Sequence, residues 1–360
     1  MKKSIFSNSA VLPADIVLAP AWWFHNESIT FDEDFFYNPA KRVESEQKME
    51  KALYKRWGRY GLGSDKDKEL PVAGPVHLAA GYLLSEMLGC EVEYKEDSPP
   101  QVICAQRQDL NISVEGAFQS PAYNRFCNLT ESLKEKYGYL TGDVNWGGIL
   151  NIALDIRGEA LFMDMFDKPD EVDSFLAKIA AVIERFTQSL QKETGSTSIS
   201  VNRTVRHLEP DIFLHSECSH TMISVADYEK FLFKYDLDWG KKYRSFGIHF
   251  CGKDPDRYGE AFGKLSNLDF LDVGWGGDVA QLRRDLPDTF LNIRLSPVEI
   301  IEQSGDEIEK TIRELIAQSE EPYLTGVCCI NMDEKVADSK ITAIFETVSK
   351  IRLEHKRQQV

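Results

Sequence analysis

From about residue 198 onward, short apolar runs ending in polar or glycine residues alternate with amphipathic segments. The runs are SISVN (198–202), DIFLHSEC (211–218), FGIHFC (246–251), LDFLDVGW (268–275), TFLNIRL (289–295) and PYLTGVCCI (322–330). Their near-continuous apolar character fits strands buried on both faces. Helix signals lie between them. SVADYEKFLFKYDLDW opens on Ser224 as N-cap with Asp227 three positions later, and sets Tyr228, Phe231, Leu232 and Tyr235 at helical spacing. SPVEIIEQSGDEIEKTIRELIAQ combines a capping Ser296 with Pro297 and Glu299, and predicts one long helix carrying Ile301, Ile308, Ile312 and Leu315 on one face. The stretch 159–193 predicts two helices broken near Pro169.

Strand, helix, strand, repeated, predicts a parallel sheet with crossover helices. DIVLAPAWW (15–23) and GYLTGDVN (138–145) read as two further strands, which brings the total to eight. That number suits a closed (β/α)8 TIM barrel, with an open doubly wound sheet as the other solution. Residues 1–70 are expected to form an N-terminal helical extension packed on the barrel, and 71–360 the barrel itself. GLGSDKDKELPV (61–72) and EDSPPQ (96–101) read as loops.

Composition narrows the class. With 42% hydrophobic and 28% charged residues, the chain is ordinary globular material. A net charge of −16 argues against a nucleic-acid surface, which needs clustered Lys and Arg. No apolar run has the length of a membrane span, and no signal-peptide core follows Lys2 and Lys3. Seven cysteines at irregular spacing do not read as a disulfide framework; they predict a reduced cytoplasmic setting with thiols free for metal or catalysis.

In a barrel the active site lies at the C-terminal ends of the strands. Those ends carry His215, Glu217 and Cys218; His249 and Cys251; Trp275 with Asp278 beyond it; Arg294; and Cys328 with Cys329. His249 and Cys251 share strand parity, so both side chains point to one side. A buried cysteine also serves as a small hydrophobe, and alone the pair reads as packing. A further cysteine at a later strand turns the balance toward one imidazole and two thiolates with an open position, a catalytic zinc set.

GIHFCGK (247–253), followed by Cys328 in LTGVCCI, resembles the His-x-Cys…Cys zinc motif of corrinoid-linked methyltransferases in the uroporphyrinogen decarboxylase-like superfamily. GGILNIALDIRGEALFMDMFDKPDEVDSFLAKI (147–179) and DIFLHSECSHTMISVADYEKF are similar to segments of the same superfamily, and the likeness runs from about residue 72 to 350. The resemblance implies a TIM barrel and a zinc ion on His249, Cys251 and Cys328, with Cys329 as the alternative third ligand. It also implies methyl exchange between a small molecule and a corrinoid (cobalamin). The chain has no Asp-x-His-x-x-Gly stretch, so a partner protein would supply the corrinoid. The small molecule would be a thiol acceptor or a methylated donor, and the direction of transfer stays open.

Glu217 would be a resting-state zinc ligand or a proton acceptor, with a solvated strand-end carboxylate as the plain alternative. Asp278 would orient His249 or serve its own turn. Trp22, Trp23, Phe24 and His25 would wall an aromatic pocket or belong to the core. His215 and His220 would be structural or exposed. The alternative activity, decarboxylation of a tetrapyrrole carboxylate, calls for an arginine-rich N-terminal segment, yet no arginine precedes Arg42. Incubation with uroporphyrinogen is therefore expected to leave it unchanged. Partly decarboxylated porphyrins appearing at enzyme-like rates on chromatography would move the chain to the decarboxylase branch.

Overall fold

The computed structural model describes residues 11–65, 82–140, 147–194, 208–243 and 245–358. In chain order the strands are β1 (Ala14–Leu18), β2 (Glu91–Lys95), β3 (Ser98–Ile103), β4 (Phe213–Glu217), β5 (Phe246–Phe250), β6 (Phe270–Val273), β7 (Phe290–Leu295) and β8 (Thr325–Met332). Six of them form one sheet in the order β1-β8-β7-β6-β5-β4, with every neighbouring pair parallel. Helices connect β4 through β8, so the sheet is a half-barrel of βα units. The expected strand 198–202, and most of 138–145, lie outside the described residues.

The two faces of the sheet differ. Phe246, Ile248, Phe250, Leu271, Val273, Leu291 and Ile293 enter the main core, which they share with the surrounding helices. On the opposite, inner face, Leu214, Phe270 and Phe290 join Leu208 and Ile212 in a separate apolar plug. The rings of Phe270 and Phe290 stack there at 5.7 Å and 6°. Toward the C-terminal ends of the strands the inner face becomes polar, with His249, Asp272, Asn292 and Arg294 all buried. Burial on both faces is why these strands read as almost unbroken apolar runs.

Several expectations change in detail. DIVLAPAWW is a strand only to Leu18; Pro20 then opens the helix Pro20–Glu27. Trp22 and Trp23 belong to that helix and to the core, their rings 4.9 Å apart edge to face, so they pack rather than wall a pocket. Through β1 the N-terminal segment enters the sheet itself. EDSPPQ is not only a loop but the turn of an antiparallel hairpin, β2–β3, and the first four residues of its second strand. Pro99 and Pro100 fit in β3 because a two-stranded ribbon consists of edges only, where a missing N–H is tolerated.

The long helix expected from Ser296 is two, Pro297–Glu302 and Gly305–Ser319, because Gln303 is extended and Ser304 starts a new cap. The reciprocal capping box belongs to Ser304 and Glu307, a second Ser-x-x-Glu pattern. The break before Pro169 stands, between Ala160–Asp167 and Pro169–Thr194, and Ser224 accepts from the Asp227 N–H. Among the described residues no helix is long and apolar enough to cross a membrane.

The apolar plug makes a stability prediction. Phe290→Ala removes one of two stacked rings from a fully buried site, and is expected to cost about 3–5 kcal/mol in urea unfolding. A loss below about 1 kcal/mol would mean that the plug does not hold the inner face together.

Candidate metal centre

β4 and β5 are neighbours, with Ser216 opposite His249 and Glu217 opposite Phe250. The next step along both strands brings Cys218 beside Cys251. Adjacent strands run only about 4.8 Å apart, and strand parity turns both thiols to the inner face with His249. The result is a compact group in which the ligand atoms of Cys218, His249 and Cys251 all lie within 4.8 Å of one another. Sequence parity had linked His249 to Cys251; the neighbourhood of Cys218 follows from the strand order.

Cys328 also faces inward, opposite Arg294 in the β7–β8 register. However, β8 stands three strands from β5, about 14 Å along the sheet, and the side chains of β6 and β7 fill the space between. The Cys328 thiol donates to Asp272 Oδ1 at 3.7 Å and packs with Val17 and Ile330. Burial pushes that thiol well above its ordinary pKa. It is not part of the three-atom group. Cys329 points the other way, into the helix-covered core, with its thiol toward the Leu295 carbonyl.

His249 is held from behind. Its Nδ1 is hydrogen-bonded to Asp272, and Asn292 Nδ2 donates to the other carboxylate oxygen at 2.9 Å. This leaves Nε2 buried without a hydrogen-bond partner. Burial pulls the imidazole pKa down, but the Asp272 carboxylate reverses this and lifts it to about 9. Arg294 Nη1 donates to Cys251 Sγ at 3.0 Å, while its guanidinium lies over the Trp275 ring at 5.0 Å. The neighbouring Cys218 thiol, followed by His249 and Arg294, outweighs burial and holds Cys251 far below the usual thiol range. The nearness of Cys251, with burial, drives Cys218 upward. The loops beyond β5 and β6 touch backbone to backbone here: a Cβ on Gly274 would sit 1.7 Å from the Gly252 oxygen.

Arg294 was among the strand-end residues read from the sequence but without a role, and Asp272 and Asn292 were missed, although a signal existed. Each is a polar residue at an inward position of an otherwise apolar strand. Of its two readings Asp278 takes the local one: it accepts from the Gln281 N–H and caps its own helix.

Glu217 has the opposite parity to Cys218, and its carboxylate turns to the helix side of the sheet. It accepts from the Leu150 N–H at 2.7 Å and the Ser219 N–H at 3.0 Å. Burial raises its pKa to about 7. Next to it, His215 Nε2 accepts from the Ile149 N–H at 3.3 Å, which places the ring proton on Nδ1, toward Asp236 at 2.7 Å. Asp236 also accepts from the Tyr228 hydroxyl at 2.7 Å. The helix Ile149–Arg157 has Gly148 as its N-cap and no side-chain cap of its own. Glu217 and His215 satisfy its free N–H groups in place of a cap, and a carboxylate there suits the helix dipole. A Cβ on Gly148 would lie 2.4 Å from Glu217 Oε2, so this approach needs glycine. The geometry thus gives Glu217 and His215 a helix-holding task. His220 is likewise buried, ringed by Tyr228, Phe250, Tyr258 and Phe262.

A cavity of about 870 Å³ runs between the segment after β3 and the helix Ile149–Arg157. Its wall includes Cys104, Gln108, Asn151, Asp155 and Met222, and also Ser219, the residue next to Cys218.

The family model of uroporphyrinogen decarboxylase (URO-D) matches residues 80–351. The chain belongs to the uroporphyrinogen decarboxylase family. Among solved structures it is similar to a methyltransferase from Methanosarcina mazei, with a TM-score of 0.66 at 13% identity, covering 96% of this chain and 94% of that one. It is also similar to a B12-independent methionine synthase from Shewanella sp. W3-18-1 in complex with selenomethionine, with a TM-score of 0.50 at 9% identity over 97% and 98% of the two chains. At these identities the likeness concerns the URO-D-like fold. A comparison with curated protein sequences gives no match.

The helix-holding network yields its own prediction. Asp236→Ala strands the His215 and Tyr228 donors in a buried site, and is expected to destabilise the fold by about 3–5 kcal/mol in urea unfolding. A change within about 0.5 kcal/mol would refute a structural role for the network.

Proposed function

We propose that this URO-D family member is a zinc-dependent methyltransferase that moves a methyl group between a small molecule and the cobalt of a corrinoid on a separate protein. The observation that carries the zinc is the buried, unpartnered Nε2 of His249, within 4.8 Å of two thiols. One imidazole, two thiolates and an open fourth position make a catalytic donor set. The corrinoid and its partner protein rest on the resemblance of the motif, and the methyltransferase fold likeness supports the class of reaction. Closure of the sheet into an eight-stranded barrel and a cytoplasmic location belong to the same reading.

His249 Nε2, Cys251 and Cys218 would hold the ion. When bound, zinc would either make a thiol substrate a better nucleophile or draw electrons from the heteroatom of a methylated donor. Asp272 keeps the Nδ1 proton of His249 and so aims Nε2 at the thiols, and Asn292 keeps Asp272 in place. Arg294 offsets the charge of Cys251. Cys218 must release its proton on coordination, which links metal uptake to proton release. The neighbouring cavity is large enough for a small substrate. Against the decarboxylase alternative stands Arg42, the first arginine of the chain, which is buried in an ion pair with Glu46 at 2.6 Å and unavailable to a polycarboxylate.

Metal analysis tests the site. The protein is expected to hold about one zinc per chain, to lose it on Cys218→Ala or Cys251→Ala, and to keep it on Cys328→Ala. Loss with Cys328→Ala and retention with Cys218→Ala would restore the third ligand that the family motif implies. Retention in every variant would remove zinc from this site. The reaction itself is followed by the absorbance of cobalt(I) and methyl-cobalt corrinoid against thiols and methylated donors. Unchanged spectra with zinc-loaded protein and a corrinoid protein supplied would overturn the methyltransferase reading.

A further inference from the structure

Two cysteines outside the metal centre flank the base of the β2–β3 hairpin, Cys90 just before β2 and Cys104 just after β3. The hairpin register pairs Glu91 with Ile103, Val92 with Val102 and Glu93 with Gln101. One more step in the same register sets Cys90 opposite Cys104. Val92, Tyr94 and Val102 pack against the core while Glu91, Glu93, Gln101 and Ile103 point to solvent or the rim, so alternation places both cysteines on the packed side. Directly opposed residues of an antiparallel pair stand about 4.5–5.5 Å apart at Cα. A disulfide spans Cα separations of about 4.4–6.8 Å.

The thiols are also anchored at one place. Cys90 donates to the Asp155 carbonyl and Cys104 to the adjacent Leu154 carbonyl, each at 3.5 Å. Both carbonyls belong to the helix Ile149–Arg157. Their access differs: Cys90 is buried, whereas Cys104 is partly exposed and lines the 870 Å³ cavity.

We propose that Cys90 and Cys104 are a site of reversible oxidation, closing to an intramolecular disulfide by exchange with a low-molecular-weight disulfide. Cys104, reached from the cavity, attacks one sulfur of the small disulfide as its thiolate and expels the other as a thiol. The mixed disulfide then stands opposite Cys90. Cys90 gives up its proton, attacks the Cys104 sulfur and releases the second small thiol. Two protein thiols and one disulfide become one protein disulfide and two small thiols, with no other oxidant required. Burial, then Asp155, pushes the Cys90 thiol up to about 12, consistent with Cys90 acting second and only on a sulfur already beside it. Closure withdraws both S–H donors from Leu154 and Asp155 and alters the cavity wall at Cys104. The site depends on neither zinc nor methyl transfer.

The test uses the full chain incubated with oxidised glutathione, then alkylated, digested and analysed by mass spectrometry. The expected product is a peptide pair joining Cys90 to Cys104 that dithiothreitol separates. Cys90→Ser should stop at a glutathione adduct on Cys104, and Cys104→Ser should form no link at Cys90. In the unsubstituted chain, three results would overturn the proposal: a persistent glutathione adduct on Cys104, both thiols alkylated throughout, or either cysteine linked to a different one. Circular dichroism of the two variants separates these outcomes from misfolding.

Discussion

The bond between His249 Nδ1 and Asp272 is the constraint around which the inner face of the sheet is arranged. A buried carboxylate is costly unless its oxygens are satisfied, and Asn292 on the next strand answers the second oxygen. A buried arginine needs an anion, and Arg294 finds one in Cys251. Three consecutive strands, β5, β6 and β7, thereby carry mutually dependent polar groups. Three buried atoms of this layer have no hydrogen-bond partner, Asn292 Oδ1, Arg294 Nε and His249 Nε2, and only the last lies within 4.8 Å of two thiols. One imidazole nitrogen and two thiols in one buried place are a donor set that suits a thiophilic metal.

This polar layer rests on an apolar one. The stacked Phe270 and Phe290 rings fill the inner face toward the N-terminal ends of the same strands. Each of these strands thus changes character along its length, apolar where it must fill space and polar where it presents chemistry. On β5, β6 and β7 the helix-covered face stays apolar, which lets the polar groups be positioned by a rigid support.

His215 and Glu217 show how a plausible acid-base pair can be occupied elsewhere. They lie one strand from His249, and the pKa of Glu217 rises to about 7, within the range of a catalytic carboxyl. Yet their parity sends them to the helix side, where Leu150, Ile149 and Asp236 take their hydrogen bonds. A perturbed pKa here reports burial at a helix N-terminus rather than exposure to substrate. The helix they hold also carries the Leu154 and Asp155 carbonyls that receive Cys104 and Cys90, so one short helix connects the end of β4 with the base of the hairpin.

Local periodicity was legible in the sequence. An alternation of two per strand determined that His249 and Cys251 share a side, that Cys328 and Cys329 do not, and that five of the β-rich runs after residue 208 are strands of a parallel sheet. Caps at Ser224 and the break before Pro169 were legible for the same reason, since they depend on neighbours a few residues away. The hairpin at EDSPPQ was not, because proline excludes a central strand but not a strand in a ribbon made of edges. Which thiol meets His249 and Cys251 lay beyond periodicity altogether. Parity tells the side of a strand but not its neighbours. Only the lateral order of the sheet puts Cys218 one strand spacing from Cys251 and leaves Cys328 three spacings away, behind Asp272 and Arg294.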